Sequence, residues 1–501
     1  MTNDFNAADT GTAVRYRKAK LWQIILVSLN ALNGMAIYIF IGQATYAANI
    51  GYGISTLIIG TLLLCTRLFD AVTDPLLAFV YDRFNTRWGK VRPLMLLGWL
   101  IQSAGLLMLF SWTSSRGFGI GMFLAAYFLH LIGYTMVNMT AQTLGPLMTN
   151  DPKQRPMVGV WSTVFNYIVP MVFTIILSTV LLPKFGEPAG TNYNYNQPYL
   201  TAAAYVTVAV SFVGVVLACI GISAYDKPEN FTGTGQTRER LKLKDMWGVL
   251  KGNKPLQSYI IAAASDKIAQ KAGGATIVAT MLNGILIGNM TIATYLSVGG
   301  MLPSIIFAII GAKYCGKHGN KTGIVNWAKY CIFANMAMIL FFVIAWVTGG
   351  TGRIAGFGVW MILYILLTLV SNGFMMAGTT AGSAFMADVI DYELDRSGKY
   401  VPAVVTGTYS LIDKLVSSFS ELIATGCVAL IGYTATLPQP GDAPTGPILT
   451  VTMFLRYGLA ILGWLCTLWA MRKCRLGREE MVEVQKRIAD KKAALQKEEQ
   501  A

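Results

Sequence analysis

Residues 67–93 read RLFDAVTDPLLAFVYDRFNTRWGKVRP, and this stretch decides what kind of protein the chain is. Its first half is apolar except for Arg67, Asp70 and Asp74. Separated by three and four residues, these project from one face of a helix, with Thr73 beside them. The second half is a burst of charge, including Arg83, Arg87, Lys90 and Arg92, closed by Pro93. A helix of about 20 apolar residues crosses the hydrocarbon layer, and basic residues gather where it leaves on the cytoplasmic side. A charge kept at mid-membrane costs about 2.5 to 3.5 kcal/mol, so three on one face ask for a function.

The rest of the 501 residues agrees: 54% are hydrophobic and 13% charged, with a mean hydropathy of +0.51, against roughly 25% charged in an ordinary soluble domain. Apolar stretches predict spans near 21–46, 55–80, 93–113, 118–146, 159–182 and 199–225, then near 256–288, 292–313, 324–347, 354–386, 401–433 and 449–470. The fold class is thus an all-α membrane protein, twelve transmembrane helices in two six-helix halves. The expected divisions are a cytoplasmic N-terminus 1–20, a first half 21–225, a linker 226–255, a second half 256–470 and a charged tail 471–501. Met1–Lys20 is polar and reads as no signal peptide; the tail reads as a solvated helix.

One alternating set of connections carries Arg83, Arg87, Lys90, Arg92, Lys153, Arg155, Lys313, Lys317 and Lys321, and the other only Arg116, Lys184 and Arg353. Both termini and the linker, with Arg238, Arg240, Lys242 and Lys244, are therefore expected in the cytoplasm of a multi-pass inner-membrane protein. The net charge of +15 belongs to these segments and to the tail, so no nucleic acid partner is expected. Seven cysteines show no metal-ligand spacing and read as reduced packing residues. Two histidines, His130 and His318, assemble neither a metal site nor a nucleophile triad, and the chain reads as no enzyme; His130 reads as a hydrogen-bonded interior residue.

Two carboxylates one turn apart repel each other and should hold a proton between them or gain a cation. Asp70, Thr73 and Asp74 therefore read as a site for H⁺ or a hard ion such as Na⁺; the alternative for Asp70 is an ion pair with Arg67 that only holds helices together. Pro75 frees the carbonyl of Ala71 for the same site, or simply kinks the helix. In the seventh span Lys267 and Lys271 share a face, to grip an anionic substrate, to snorkel or to pair with carboxylates. The eleventh span adds Asp413, Lys414 and Glu421, with Lys414 either balancing the second-span carboxylates or pairing locally.

The 67–93 stretch, with its R-x-x-D-A-x-x-D-P, D-R and R-W-G-K-x-R-P runs, resembles the glycoside-pentoside-hexuronide:cation symporters of the major facilitator superfamily. MADVIDYELDRSGK at 386–399 and TYSLIDKL at 408–415 are similar to two further segments of that family. The resemblance implies sugar movement coupled to Na⁺, Li⁺ or H⁺. It places Asp70 and Asp74 on the cation-site carboxylates, Thr73 and Thr135 on further polar groups there, and Lys414 on a lysine near them. The resemblance also puts Asn138 at the cation site, where melibiose-type members hold another aspartate; it keeps an oxygen ligand but loses a charge, which favours H⁺.

Where galactoside carriers hold their charged sugar-binding pair the register gives Gly34, beside Asn33, and Thr163, and Gln142 replaces a tryptophan. Galactosides are thus not the expected cargo. Asn33, Asn138, Gln142 and Trp161 could bind another glycoside by amide hydrogen bonds and ring stacking, and Lys267 and Lys271 would suit a hexuronide. The expectation is a monomeric symporter working by alternating access, with no cofactor beyond the coupling ion H⁺ or Na⁺ and with a small molecule and the bilayer as its partners. The 87–92 loop is expected to meet the 386–399 segment or the linker. The alternatives are a carrier of a non-sugar organic anion or lysolipid on the same fold, and a non-transporting membrane sensor.

Overall fold

The computed structural model describes residues 18–83, 86, 88–149, 154–190, 192–227, 243–398 and 401–500. Arg87, Lys153, Arg238, Arg240, Lys242 and Lys399, and the side chains of Ala71, Asp74, Pro75, Arg83, Arg155, Lys244 and Lys492, lie outside the described set.

Helical stretches follow one another in two sets of six. Among the described residues, eight are long and apolar enough to cross a membrane: the first (Leu21–Ile41), third (Val91–Trp112), fourth (Gly119–Gly145), fifth (Met157–Phe185), sixth (Gln197–Ile222), ninth (Asn320–Val347), tenth (Val359–Ser397) and twelfth (Gly446–Lys473). The second is the helix Thr56–Arg83. The seventh joins Lys254–Gly273 to Thr276–Leu286, the eighth Met290–Gly299 to Met301–His318, and the eleventh Pro402–Ser417 to Ser420–Leu430. The second, seventh and eleventh are the spans in which the sequence places charges, and charge is what lowers their mean hydropathy.

Close backbone approach fixes the helices that carry polar groups. A Cβ on Gly105 would lie 2.4 Å from the backbone nitrogen of His130, and one on Gly133 would lie 2.2 Å from that of Gln102. The third and fourth spans therefore touch backbone to backbone, as small residues allow between membrane helices. A Cβ on Gly214 would likewise lie 2.8 Å from the nitrogen of Asn33, which seats the first span on the sixth.

The halves meet at the end opposite the termini. There Tyr46 Oη donates to Pro438 O at 2.8 Å, Asn49 Nδ2 to Ala435 O at 2.8 Å, and Thr276 Oγ1 to Gly42 O at 2.8 Å. A hairpin pairing Glu187–Ala189 with Asn192–Asn194 joins them, since Asn194 Oδ1 accepts from Gly441 N at 2.8 Å and Tyr195 N donates to Gln439 Oε1 at 3.0 Å. One apolar core, from Phe40 and Tyr46 to Leu282 and Leu437, runs through both halves at this end. At the terminal end the cores are separate: Ile24, Val91, Leu147 and Ile222 in one half, Leu256, Phe385, Val389 and Met471 in the other. Among the described residues, the halves thus share a core at the end opposite the termini only.

Each half is tied at its terminal end by one buried carboxylate. Asp226 accepts from the backbone N–H groups of Lys90, Val91 and Arg92 at 2.9, 3.1 and 2.8 Å, and from Arg92 Nε at 3.3 Å. Glu393 accepts from Asn253 Nδ2 at 3.0 Å and from Arg396 Nη2 at 2.7 Å. The loop of residues 88–92 thus reaches the first linker residue, whereas the described part of the 386–399 segment turns to its own half.

The tail corrects the expectation of a solvated helix. Arg478–Gln500 lies along the end of the tenth span with Val484 and Ile488 buried. Arg487 Nε and Lys491 Nζ reach the two oxygens of Asp395 at 2.7 and 2.8 Å, and Gln485 Nε2 donates to Asp391 Oδ2 at 2.7 Å. This support is why the tenth span runs on to Ser397, past the expected end at residue 386.

Candidate functional site

Asp70, near the middle of the second span, gathers groups from three helices. Thr135 Oγ1 of the fourth span donates to its Oδ1 at 3.2 Å, and Lys414 Nζ of the eleventh lies 3.9 Å from its Oδ2. Thr73 is buried and donates its hydroxyl to the Asp70 carbonyl at 3.2 Å, leaving oxygen lone pairs for another partner. Arg67 lies within electrostatic reach of Asp70, Glu421, Tyr127 and Tyr134. Asp70, Thr73, Thr135, Arg67 and Lys414 are therefore together; Asp74 is on the same helix and its side chain is outside the described set. A carboxylate with hydroxyl oxygens beside it suits a hard monovalent cation or a proton.

Beside this cluster the first half encloses a cavity of about 280 Å³, near the lower end of the roughly 300 to 1,000 Å³ typical of small-molecule sites. Its polar lining is amide and hydroxyl: Asn30, Asn33, Gln102, Asn138 and Asn166, with Ser28, Ser162, Tyr38 and Tyr134. None of the described lining residues is charged. Gln102 Nε2 donates to Asn33 Oδ1 at 2.8 Å, while Asn33 Nδ2 and Asn30 Oδ1 are buried without hydrogen-bond partners among the described residues. Leaving a buried polar group unpaired costs about 1 to 3 kcal/mol, so these two atoms, one donor and one acceptor, mark where a polar ligand would recover energy. Asn30 lines the cavity where the first span steps irregularly at Leu29 and Asn30, between Leu21–Ser28 and Ala31–Ile41. His130 lies behind the wall with Nδ1 at 3.0 Å from Gln102 O, the interior role expected of it; the carbonyl can only accept, so Nδ1 carries the proton.

The predicted substrate residues divide. Asn33 lines the cavity, and so does Asn138, expected among the cation ligands. Gln142, Trp161 and Thr163 are not among the lining residues: Trp161 packs on the apolar cluster around Leu144 and Val158 and stacks on Phe165 at 6.1 Å, and Gln142 and Thr163 are exposed. The fifth span presents Ser162 and Asn166 instead. Lys267 and Lys271 lie within electrostatic reach of Asp413 in the second half, and Lys271 also of Glu421, so carboxylates of this chain act on the groups expected to grip an anionic substrate. Sequence reasoning misses Asn30, Gln102, Ser162 and Asn166, although polar residues three or four apart in apolar spans are a signal the sequence does carry.

Two six-helix halves around a central polar site define a major facilitator transporter. The chain belongs to the MFS/sugar transport protein family, whose family model matches residues 32–476. It is 24% identical over 462 residues to the glucuronide carrier protein homolog of Escherichia coli (strain K12), covering 87% of this chain and 89% of that one. It is 30% identical over 163 residues to the inner membrane symporter YicJ of the same organism, covering 32% of this chain and 35% of that one. The crystal structure of the nucleoside transporter NupG superposes with a TM-score of 0.57 over 91% of this chain and 100% of that one, at 14% identity, and agrees in fold.

Proposed function

We propose that the chain is a cation-coupled symporter of an uncharged glycoside, working by alternating access with both termini in the cytoplasm. The observation that carries this reading is the adjacency of two unlike sites on one helix. On the fourth span Thr135 bonds to Asp70, while Tyr134 and Asn138 line the amide cavity. A cation or proton at Asp70 with Thr73, Thr135 and Asp74 would compete with the Lys414 contact and, through this helix, reset the substrate wall. By linkage the substrate would tighten the ion in return. Amides and hydroxyls without charge suit sugar hydroxyls, and Tyr38 and Tyr134 supply ring faces. The basic bias of the connections at the terminal end supports the orientation.

A hexuronide is the second reading, favoured by the similarity to a glucuronide carrier homolog. The two separate in a melting experiment on the purified protein with neutral glycosides and with hexuronides, in Na⁺ or choline and at pH 5.5 and 7.5. A ligand at a hundredfold excess over its Kd stabilises by about 2.7 kcal/mol. A shift with a neutral glycoside that grows with Na⁺ or acid supports the first reading. A shift confined to hexuronides replaces it with the second, and no shift with any sugar overturns the substrate class.

A further inference from the structure

Glu421 opens the second helix of the eleventh span, and neither the amide cavity nor the Asp70 cluster includes it. Its Oε2 is buried without a hydrogen-bond partner among the described residues. The charged and titratable groups within electrostatic reach of it come from three other helices: Arg67 of the second span, Lys271 of the seventh and Tyr127 of the fourth. Arg67 is within reach of both Glu421 and Asp70, so one cation is shared between carboxylates of different halves.

What brings Glu421 there is the closed seam. A Cβ on Gly60 would lie against Thr425 Oγ1, 3.0 Å from Leu422 Cα and 3.3 Å from the Glu421 carbonyl oxygen, so the second and eleventh spans meet at their backbones along residues 421–425. Opening this end must part Gly60 from residues 421–425 and carry Glu421 away from Arg67.

We propose that Glu421 is a positioning residue for coupling, a carboxylate of the second half that offsets Arg67 and so strengthens cation binding at Asp70 only while the halves are closed at the end opposite the termini. With Glu421 present, the field of Arg67 at Asp70 is partly neutralised; once the seam opens, Arg67 bears on Asp70 alone and the ion is bound more weakly. Differential affinity of this kind is what lets an ion bias one state of a two-state protein. The inference rests on Asp70 being a cation ligand.

The test is the melting temperature of the full-length purified protein titrated with NaCl against choline chloride at constant ionic strength, and with acid from pH 8.5 to 5.5. The native protein should be stabilised by one cation with a measurable midpoint, and Asp70→Asn should abolish the response. Glu421→Gln should keep the response but move the midpoint about tenfold towards higher cation concentration, one pH unit lower if the ion is H⁺. Glu421→Asp, which keeps the charge, should stay within threefold of native. Gly60→Ala, which wedges the seam at residues 421–425 and keeps the Glu421 carboxylate in the chain, should move the midpoint in the same direction by at least threefold and decides the matter if the Gln variant does not fold. Shifts below threefold in both Glu421→Gln and Gly60→Ala, or an Asp variant as weak as the Gln variant, would overturn the role of Glu421 while the Asp70 reading stands. A native protein that responds to neither cation, or an Asp70→Asn variant that responds as native, would overturn both.

Discussion

Lys414 of the second half reaches across to Asp70 of the first, its Nζ 3.9 Å from Oδ2. A fixed ammonium beside a cation site is a built-in competitor for the ion. At about 4 Å two unit charges interact by roughly 1 kcal/mol in water and about 4 kcal/mol at an effective dielectric of 20. Lys414 is half exposed, so the low end applies after screening. Lys414→Gln should therefore tighten the coupling cation by about fivefold while slowing accumulation, because the return of the empty carrier loses its internal counter-ion. Cation midpoints by melting, together with uptake into vesicles, check both parts. An unchanged midpoint would mean that the contact is incidental.

Asn33 holds Gln102 with one amide atom and offers the other to the cavity. Asn33→Ala should raise the substrate KM by about tenfold, one hydrogen bond's worth of about 1 to 1.5 kcal/mol, and leave the cation midpoint in place. If KM holds, the ligand binds elsewhere in the cleft.

Asp226 satisfies three backbone N–H groups and Arg92 while fully buried. Removing one partner of a buried pair costs about 3 to 5 kcal/mol, so Asp226→Ala should lower the melting temperature markedly, and Asp226→Asn less. Equal stability in both variants would deny the anchor its charge.

The tail helix contributes burial of Val484 and Ile488, about 1.5 to 3 kcal/mol each as an upper figure. Its surface ion pairs add about 0.2 to 1 kcal/mol each. Truncation after Gly477 should lower the melting temperature and expose the end of the tenth span near Asp391 to protease, with transport per folded molecule kept. Loss of transport at unchanged stability would assign the tail a different part.

Much of this is legible in the sequence because of how strongly lipid constrains a chain. The second span is readable from Arg67, Asp70 and Asp74 alone, since hydrocarbon penalises a charge wherever it stands. Thr135 and Lys414 come from resemblance and stand at Asp70 as it implies. The cavity is harder to read: Asn33 lines it, but Trp161, expected as a sugar platform, packs half-buried on the cluster around Leu144 and Val158 and is not among the lining residues. The helical face of an uncharged side chain in an all-round apolar span leaves no trace in hydrophobic periodicity.

By itself the sequence determined the number and order of the spans, the charged face of the second helix and the division into halves, because transfer into lipid is a local property of each segment. Only the tertiary structure decided which polar groups meet. The backbone contacts of Gly105 and Gly133 set Gln102 beside Asn33, and closure at Gly60 brought Glu421 towards Arg67 from several hundred residues away. Those pairings depend on helix rotation and on the state of the seam, which are fixed by packing between segments rather than within any one of them.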